Sequence, residues 1–308
     1  RREHEPASKC ILALNNLALC QKALKQWEQA IEGFTEVLSY RREHDPAKKQ
    51  MLTISNLSLC LKSAKQWQDA VPLFAELVAY RREHDPAKVL LAVNNLALCH
   101  KGQNTWEQAI PLFEEVLASR RESGDPQKLS LTLQNLAKCH QENTNWPTAL
   151  PLYEELLELQ QKRLGSDHEK ALSVQLSVGT GCLNVERLAD AETHFNAVIA
   201  GRTALNGAES STLNLPCWML ARCLRKLERP AEAAVARKRA WRIGEAQKGQ
   251  SESWFKRGEI LARDLVQAQA WTELAALIEE LLSHELSSTA ALAEVVAALQ
   301  QMKAEHLD

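Results

Sequence analysis

The sequence NNLALCQKALKQWEQAIEGF, at residues 15–34, decides the fold because close copies of it follow at a regular spacing. The copies are SNLSLCLKSAKQWQDAVPLF from Ser55, NNLALCHKGQNTWEQAIPLF from Asn94 and QNLAKCHQENTNWPTALPLY from Gln134, about 40 residues apart. Self-similarity at such a period predicts an array of structural units, each of which packs on its neighbours.

Each copy predicts two helices joined by a tight turn. In the first helix Leu14, Leu17 and Ala18 recur at i, i+3 and i+4, which places them on one face. The second helix starts near Trp27 and carries Phe34 on its own apolar stripe. Neither helix can bury its stripe alone, so neighbouring units must supply the core.

Weaker copies continue beyond the fourth unit, around Ala171 to Phe195, from Met219 and from Ile260. The last amphipathic stretch has no partner and is typical of a capping helix. We therefore predict a single domain over residues 1–308. Its repeats cover residues 8–42, 47–82, 87–121, 127–163, 168–202, 209–246 and 251–283, and the cap covers residues 287–304.

Four positions in each unit carry a resemblance to a known family. In the first unit they are the small Ala18, Trp27 at the turn, Ala30 and the aromatic Phe34. This pattern resembles the tetratricopeptide repeat (TPR). The NNLA openings, the period of 40 to 42 residues and RLGSDHEKAL resemble more narrowly the repeats of kinesin light chain and nephrocystin-type proteins.

The resemblance implies an all-α fold, a right-handed α-α superhelix (TPR solenoid) of about seven helix pairs plus a C-terminal capping helix. It also implies that extended peptides bind along a concave groove. The chain departs from the family at two positions of each unit. The usual Tyr is replaced by Gln21, Leu61, His100 and His140, and the usual Gly before the turn by Lys25, Lys65, Asn104 and Thr144.

The composition excludes several functional classes. With 37 basic and 39 acidic side chains the net charge is −2, which gives no reason to expect nucleic acid or a membrane surface as partner. We find no secretory leader and no apolar run of about 20 residues, so we expect a cytoplasmic protein. The missing initiator Met suggests a longer parent chain, with further domains N-terminal of Arg1.

Catalytic and metal-binding motifs are not found. No stretch matches a phosphate-binding Gly-rich loop, a nucleophile elbow or HExxH. Half of the eight cysteines occupy one repeated position, where we interpret them as small apolar fillers, and neighbours such as Cys99 and His100 point about 100° apart on a helix. We expect no enzyme activity, no metal and no cofactor.

The string YRREHDPAK occurs at residues 40–48 and again at residues 80–88, and RREHEPASK opens the chain. We interpret it as the join between units, because His44 and His84 would lie a whole repeat apart and could not share a metal. Asp45 is the expected N-cap and Pro46 the expected first residue of the following helix.

The candidate site is the second side of each first helix, opposite the core stripe. Leu12, Asn16, Leu19 and Lys22 fall on this side in the first unit. The Asn side chain can pair with an extended backbone, the Lys makes one edge positive, and the Leu offers an apolar floor. The predicted peptide-binding residues are Asn16, Asn56, Asn95, Asn135, Leu19, Leu59, Leu98, Lys22, Lys62, Lys101, Lys138, and Trp218 and Arg222 in the sixth unit.

These observations favour a protein–protein interaction module that binds an extended, acidic and aliphatic peptide segment in its groove, as a sensor or adaptor part of a larger multidomain protein. The alternative is an autoinhibitory or self-assembly solenoid, whose groove holds its own chain or a second copy. An enzyme would need catalytic groups from elsewhere in the parent chain.

Overall fold

The computed structural model describes residues 4–248 and 252–282, together with positions 297, 300–302 and 304–306. All regular secondary structure in these residues is helical, which confirms the all-α prediction. The chain divides into two compact units, Arg1–Asn145 and Trp146–Asp308. Each unit is built from helices that pack on the next helix in the chain.

The first unit contains three consecutive helix pairs and the first helix of a fourth. Helices that begin with Trp alternate with the helices that carry the NNLALC-type sequence. The bounds are α1 His4–Ala23, α2 Trp27–His44, α3 Ala47–Ser63, α4 Trp67–His84, α5 Val89–Gly102, α6 Trp106–Ser123 and α7 Pro126–Glu142, with a 3-10 turn at Pro86–Lys88 before α5.

The second unit continues the succession of helices, although only α8 and α14 among its described helices begin with Trp. Its helices are α8 Trp146–Leu164, α9 Glu169–Asn184, α10 Leu188–Asn206, α11 Asn214–Lys226, α12 Pro230–Lys248, α13 Glu252–Gln267 and α14 Trp271–Leu282. The predicted seventh repeat at residues 251–283 corresponds to α13 and α14. The predicted cap at residues 287–304 lies outside the described residues, apart from isolated positions.

A left-handed residue reverses the chain between the two helices of each pair. At the first turn Lys25 has φ 60°, and its N–H donates to the carbonyl of Lys22 at 3.1 Å. The next N–H, of Gln26, donates to the carbonyl of Gln21 at 2.9 Å. In the part of the chain that the structure describes, the positive-φ residues that are not glycine are Lys25, Lys65, Asn104, Thr144, Glu186, Glu228 and Gln269.

Small residues let the paired helices approach closely. Ala18 and Ala30 are fully buried, and a Cβ added to Gly33 in α2 would lie 3.0 Å from the Cβ of Ala18 in α1. The turn tryptophans also reach the following pair, because a Cβ on Gly102 would come within 2.6 Å of the Trp67 ring. The predicted Ala and Trp positions thus form the contacts within and between pairs.

The YRREHDPAK string joins successive pairs, in agreement with its interpretation. Arg41 Nη1 donates to Thr53 Oγ1 at 2.6 Å and to the Lys49 carbonyl at 3.3 Å, which ties α2 to α3. The expected cap is wrong by one residue. Pro46 occupies the N-cap of α3, while the carboxylate of Asp45 accepts from Lys49 Nζ at 3.0 Å.

In the second copy of the string Arg81 donates to the Lys88 carbonyl at 3.2 Å, and Arg82 donates to Glu115 at 2.6 Å. A side-chain Asp cap of the expected kind occurs one join later. There Asp125 accepts from the backbone N–H of Lys128 at 3.1 Å, and Pro126 is the first residue of α7. The join is therefore a packing element in each place.

Candidate functional site

A row of solvent-exposed leucines runs through the first helices of the first unit. Leu12, Leu52, Leu91 and Leu131 hold the same position in α1, α3, α5 and α7, and they are 57%, 61%, 63% and 57% exposed. A large apolar side chain that is exposed in four successive repeats is typical of a surface that another molecule or segment contacts. The sequence placed Leu12 on this face but did not include the row in the predicted site.

A hydrogen bond between lysine and asparagine repeats along the same face. Lys22 Nζ donates to Asn56 Oδ1, Lys62 to Asn95 and Lys101 to Asn135, each at 2.7 Å. Each bond links the end of one first helix to the middle of the next. The predicted lysine row and the predicted asparagine row are therefore partners of each other.

These bonds fix the orientation of the asparagine amides. An ammonium group can only donate, so the amide oxygen faces the lysine and the Nδ2 group offers its two N–H donors elsewhere. Asn16 is exposed, Asn56 and Asn135 are half-buried, and Asn95 is buried.

Burial changes the chemistry of the groups around these bonds. Desolvation lowers the pKa of the Lys62 and Lys101 ammonium groups. It raises the pKa of the nearby Cys99 and Cys139 thiols to about 11, although Lys62 and Lys101 oppose that rise. The thiols stay protonated at neutral pH, which agrees with their interpretation as apolar fillers.

The Cys–His neighbours do not form a reactive pair. His100 Nδ1 lies 3.0 Å from Thr105 Oγ1, and burial lowers the pKa of His100. Among the described residues no group of three or more His, Cys, Asp or Glu side chains is placed to hold a metal ion.

The remaining predicted residues of the first unit are placed less uniformly. Leu19 is exposed, whereas Leu59 and Leu98 are half-buried. Lys138 occupies the leucine position of its helix and not the lysine position, and its ammonium pairs with Glu142 at 2.7 Å. Lys138 therefore does not extend the row of lysine–asparagine bonds.

Trp218 and Arg222 lie in the second unit, where they line a cleft of about 630 Å³. The cleft is bounded by α11, α12 and α13. Its lining residues are Trp218, Met219, Arg222, Arg225, Lys226, Arg237, Ile260 and Gln267. The sequence predicted a basic, aromatic surface on α11, and it missed the contributions of α12 and α13 because only tertiary packing brings them there.

Three parts of the chain match models of a known protein family. Family models described as tetratricopeptide repeat match residues 13–43, 92–127 and 129–204. The chain is a tetratricopeptide repeat protein. Curated protein sequences give no match.

Solved structures share the fold of this TPR protein. The C-terminal part of a TPR repeat-containing protein from Cytophaga hutchinsonii has a TM-score of 0.63 at 11% identity, covering 91% of this chain and 98% of that one. BtubC (BKLC) from P. vanneervenii has a TM-score of 0.54 at 15% identity, with 72% and 95% covered.

Kinesin light chain-type repeats are among the similar structures. A proposed kinesin light chain from Podosopora anserina, with nearly identical TPR-like repeats, has a TM-score of 0.52 at 20% identity, covering 64% of this chain and 96% of that one. At these identities the likeness establishes the TPR solenoid fold. None of the described helices is long and apolar enough to span a bilayer.

Proposed function

We propose that this TPR protein is a protein–protein interaction module that binds an extended, acidic and aliphatic peptide segment along the leucine row, defined as Leu12, Leu52, Leu91 and Leu131. The observation that carries the proposal is the exposure of all four leucines at one repeated position. Burying a leucine side chain contributes about 1.5 to 3 kcal/mol, so a segment that covers the row gains substantial affinity.

The row suits an extended chain because its four leucines stand at one repeated position of successive first helices. An extended peptide directs alternate side chains to opposite faces, so one face of the ligand would lie on the row. The amide donors of Asn16, Asn56 and Asn135 are on the same helices and can bind the intervening carbonyl groups.

The preference for acidic ligands is supported by the positive charges near the leucine row. Lys22, Lys62 and Lys101 lie beside the asparagines. We also propose that the protein is cytoplasmic and non-enzymatic, and that it serves as a sensor or adaptor.

The test removes two leucines of the row. We expect Leu52→Ser with Leu91→Ser to weaken, at least tenfold, the binding of decapeptides selected from a random display library, measured by fluorescence anisotropy. Because both side chains are exposed, the melting temperature should stay within a few degrees.

The matched control is Leu24→Ser, an exposed leucine outside the row. It should leave binding unchanged. Equal affinities of the double variant and the unmodified protein would contradict the proposal. The variants keep the lysine–asparagine bonds, so a loss of binding would not report a loss of packing.

A second candidate, self-assembly or autoinhibition, is favoured by the outer face of α1. Leu17 is 53% exposed, whereas its counterparts Leu57, Leu96 and Leu136 are 4%, 7% and 2% exposed. The counterparts are covered by the preceding helix pair. The face of α1 therefore offers an apolar surface that a second copy or another segment could cover.

A further inference from the structure

The cleft of the second unit, defined by its lining residues above, has one apolar and one cationic wall. Trp218, Met219 and Ile260 form the apolar part. Among the described residues that line the cleft, every charged one is basic, namely Arg222, Arg225, Lys226 and Arg237. Three of the four are arginines, whose planar forks bind oxyanions through paired hydrogen bonds.

A buried ion pair holds part of this cationic wall in place. Arg237 is buried, with its guanidinium 4.3 Å from the centroid of the Trp218 ring, and its Nε donates to Oδ2 of Asp264. Asp264 is fully buried behind the wall, and its Oδ1 lies 3.5 Å from Arg225 Nε. The carboxylate thus positions two guanidinium groups before any ligand arrives.

The charges of the cleft leave a positive excess. Asp264 balances one of the four cations, and Glu186 pairs with Lys226 from the turn before α10. Two positive charges remain unbalanced by these contacts, and the exposed Arg222 is free to approach a ligand. A single carboxylate would neutralise one of them. A phosphomonoester, with about −1.5 to −2 charge at pH 7, would neutralise both.

We infer that this cleft binds a phosphomonoester dianion, carried on a phosphorylated side chain of the peptide partner. The inference rests on the proposed function, because it assumes a peptide ligand. The cleft volume of about 630 Å³ exceeds that of a phosphate group, and the Trp218, Met219 and Ile260 wall fits the apolar stem or ring that bears it. Binding would then depend on phosphorylation of the partner.

The NMR signal of the Trp218 indole N–H can report the binding of an anion in the cleft. The Trp218 Nε1 is buried and makes no hydrogen bond to the residues that the structure describes, so its NMR signal should respond to an anion placed beside it. The signal is identified by its loss in Trp218→Phe. The full chain is labelled with 15N at the indole nitrogen and titrated at constant ionic strength.

The probes are phenyl phosphate, inorganic phosphate and benzoate. We expect phenyl phosphate to bind at least tenfold more tightly than benzoate, because both carry a ring and only one is a dianion. Inorganic phosphate should bind between the two, because it lacks the ring. Lowering the pH from 7.5 to 5.5 should weaken the binding of phenyl phosphate at least threefold. The second pKa of the phosphate is about 6, so much of the dianion becomes a monoanion at the lower pH.

Matched variants locate the response. Arg222→Gln should weaken the binding of phenyl phosphate at least fivefold. Arg263→Gln is the control, since Arg263 lies on α13 outside the cleft lining and pairs with Glu259. Equal losses of phenyl phosphate affinity in both variants would overturn the assignment of the site.

Three further outcomes decide the inference. Benzoate binding as tightly as phenyl phosphate would overturn the preference for a dianion, and no response of Trp218 to any probe would overturn the anion site itself. The Leu52→Ser/Leu91→Ser variant should bind phenyl phosphate like the unmodified protein. That result, with peptide binding also unchanged in the same variant, would support the anion site and contradict only the leucine-row proposal.

Discussion

At the residue scale, the turns between paired helices use side chains where glycine would be least strained. A left-handed conformation costs an L-residue about 1–2 kcal/mol, and Asn tolerates it better than a β-branched residue. Thr144 has φ 56° and Asn104 has φ 60°. The sequence identified both as departures from the family's usual Gly, and the backbone retains the glycine-like conformation.

We predict that Thr144→Gly raises the stability of the protein by about 1 kcal/mol, because it relieves the left-handed strain of a β-branched residue. Asn104→Gly is the matched comparison and should give a smaller gain. The measurement is the midpoint of urea unfolding followed by circular dichroism. A lower midpoint for Thr144→Gly than for the unmodified protein would show that the side chain itself stabilises the turn.

At the element scale, the environment of a helix depends on its place in the array. Leu17 in α1 and Leu57 in α3 are equivalent in sequence, yet Leu57 is 4% exposed and Leu17 is 53% exposed. The difference arises because α3 receives the preceding pair, including the hydrogen bond from Lys22 to Asn56. Equivalent residues thus contribute unequally to the free energy of unfolding.

We predict that Leu57→Ala destabilises the protein by about 2 to 5 kcal/mol, since it leaves a cavity in the core. Leu17→Ala, the same change at the equivalent position, should cost less than about 0.5 kcal/mol. Urea unfolding of the two variants side by side gives the comparison. Similar losses would mean that the face of α1 is covered in solution.

The helix positions were largely predictable from the sequence. Tryptophan marks the start of the second helix in the first four pairs, at Trp27, Trp67, Trp106 and Trp146, as expected from the repeat alignment. The N-cap at Asp45 was wrong because the same motif can end one helix and start the next in more than one way. Such local alternatives differ by little free energy, and packing chooses between them.

At the scale of the whole molecule, the two candidate functions predict different masses in solution. A groove reserved for a foreign peptide predicts the mass of one chain at all concentrations, because the exposed leucines are separated by asparagine and lysine side chains. We expect size-exclusion chromatography with light scattering to give this mass from about 1 to 100 µM. An oligomer with a Kd below about 1 µM would stay assembled throughout this range.

A concentration-dependent dimer would contradict that expectation, and variants would locate its interface. Loss of the dimer in Leu52→Ser/Leu91→Ser would assign it to the leucine row. Loss in Leu17→Ser would assign it to the outer face of α1, where the apolar surface is otherwise uncovered.

The sequence by itself determined the repeat, the pairing of helices and the face opposite the core, because periodic apolar residues can be buried in only one register. Tertiary structure decided which polar side chains can contact a ligand and which bond to other residues of the chain. Lys22 and Asn56 look independent in sequence but bond across neighbouring helix pairs. Asp264 looks like one acidic residue among many, and only packing places it, buried, behind Arg237 and Arg225. Long-range contacts of this kind depend on how helix pairs stack, which local periodicity does not specify.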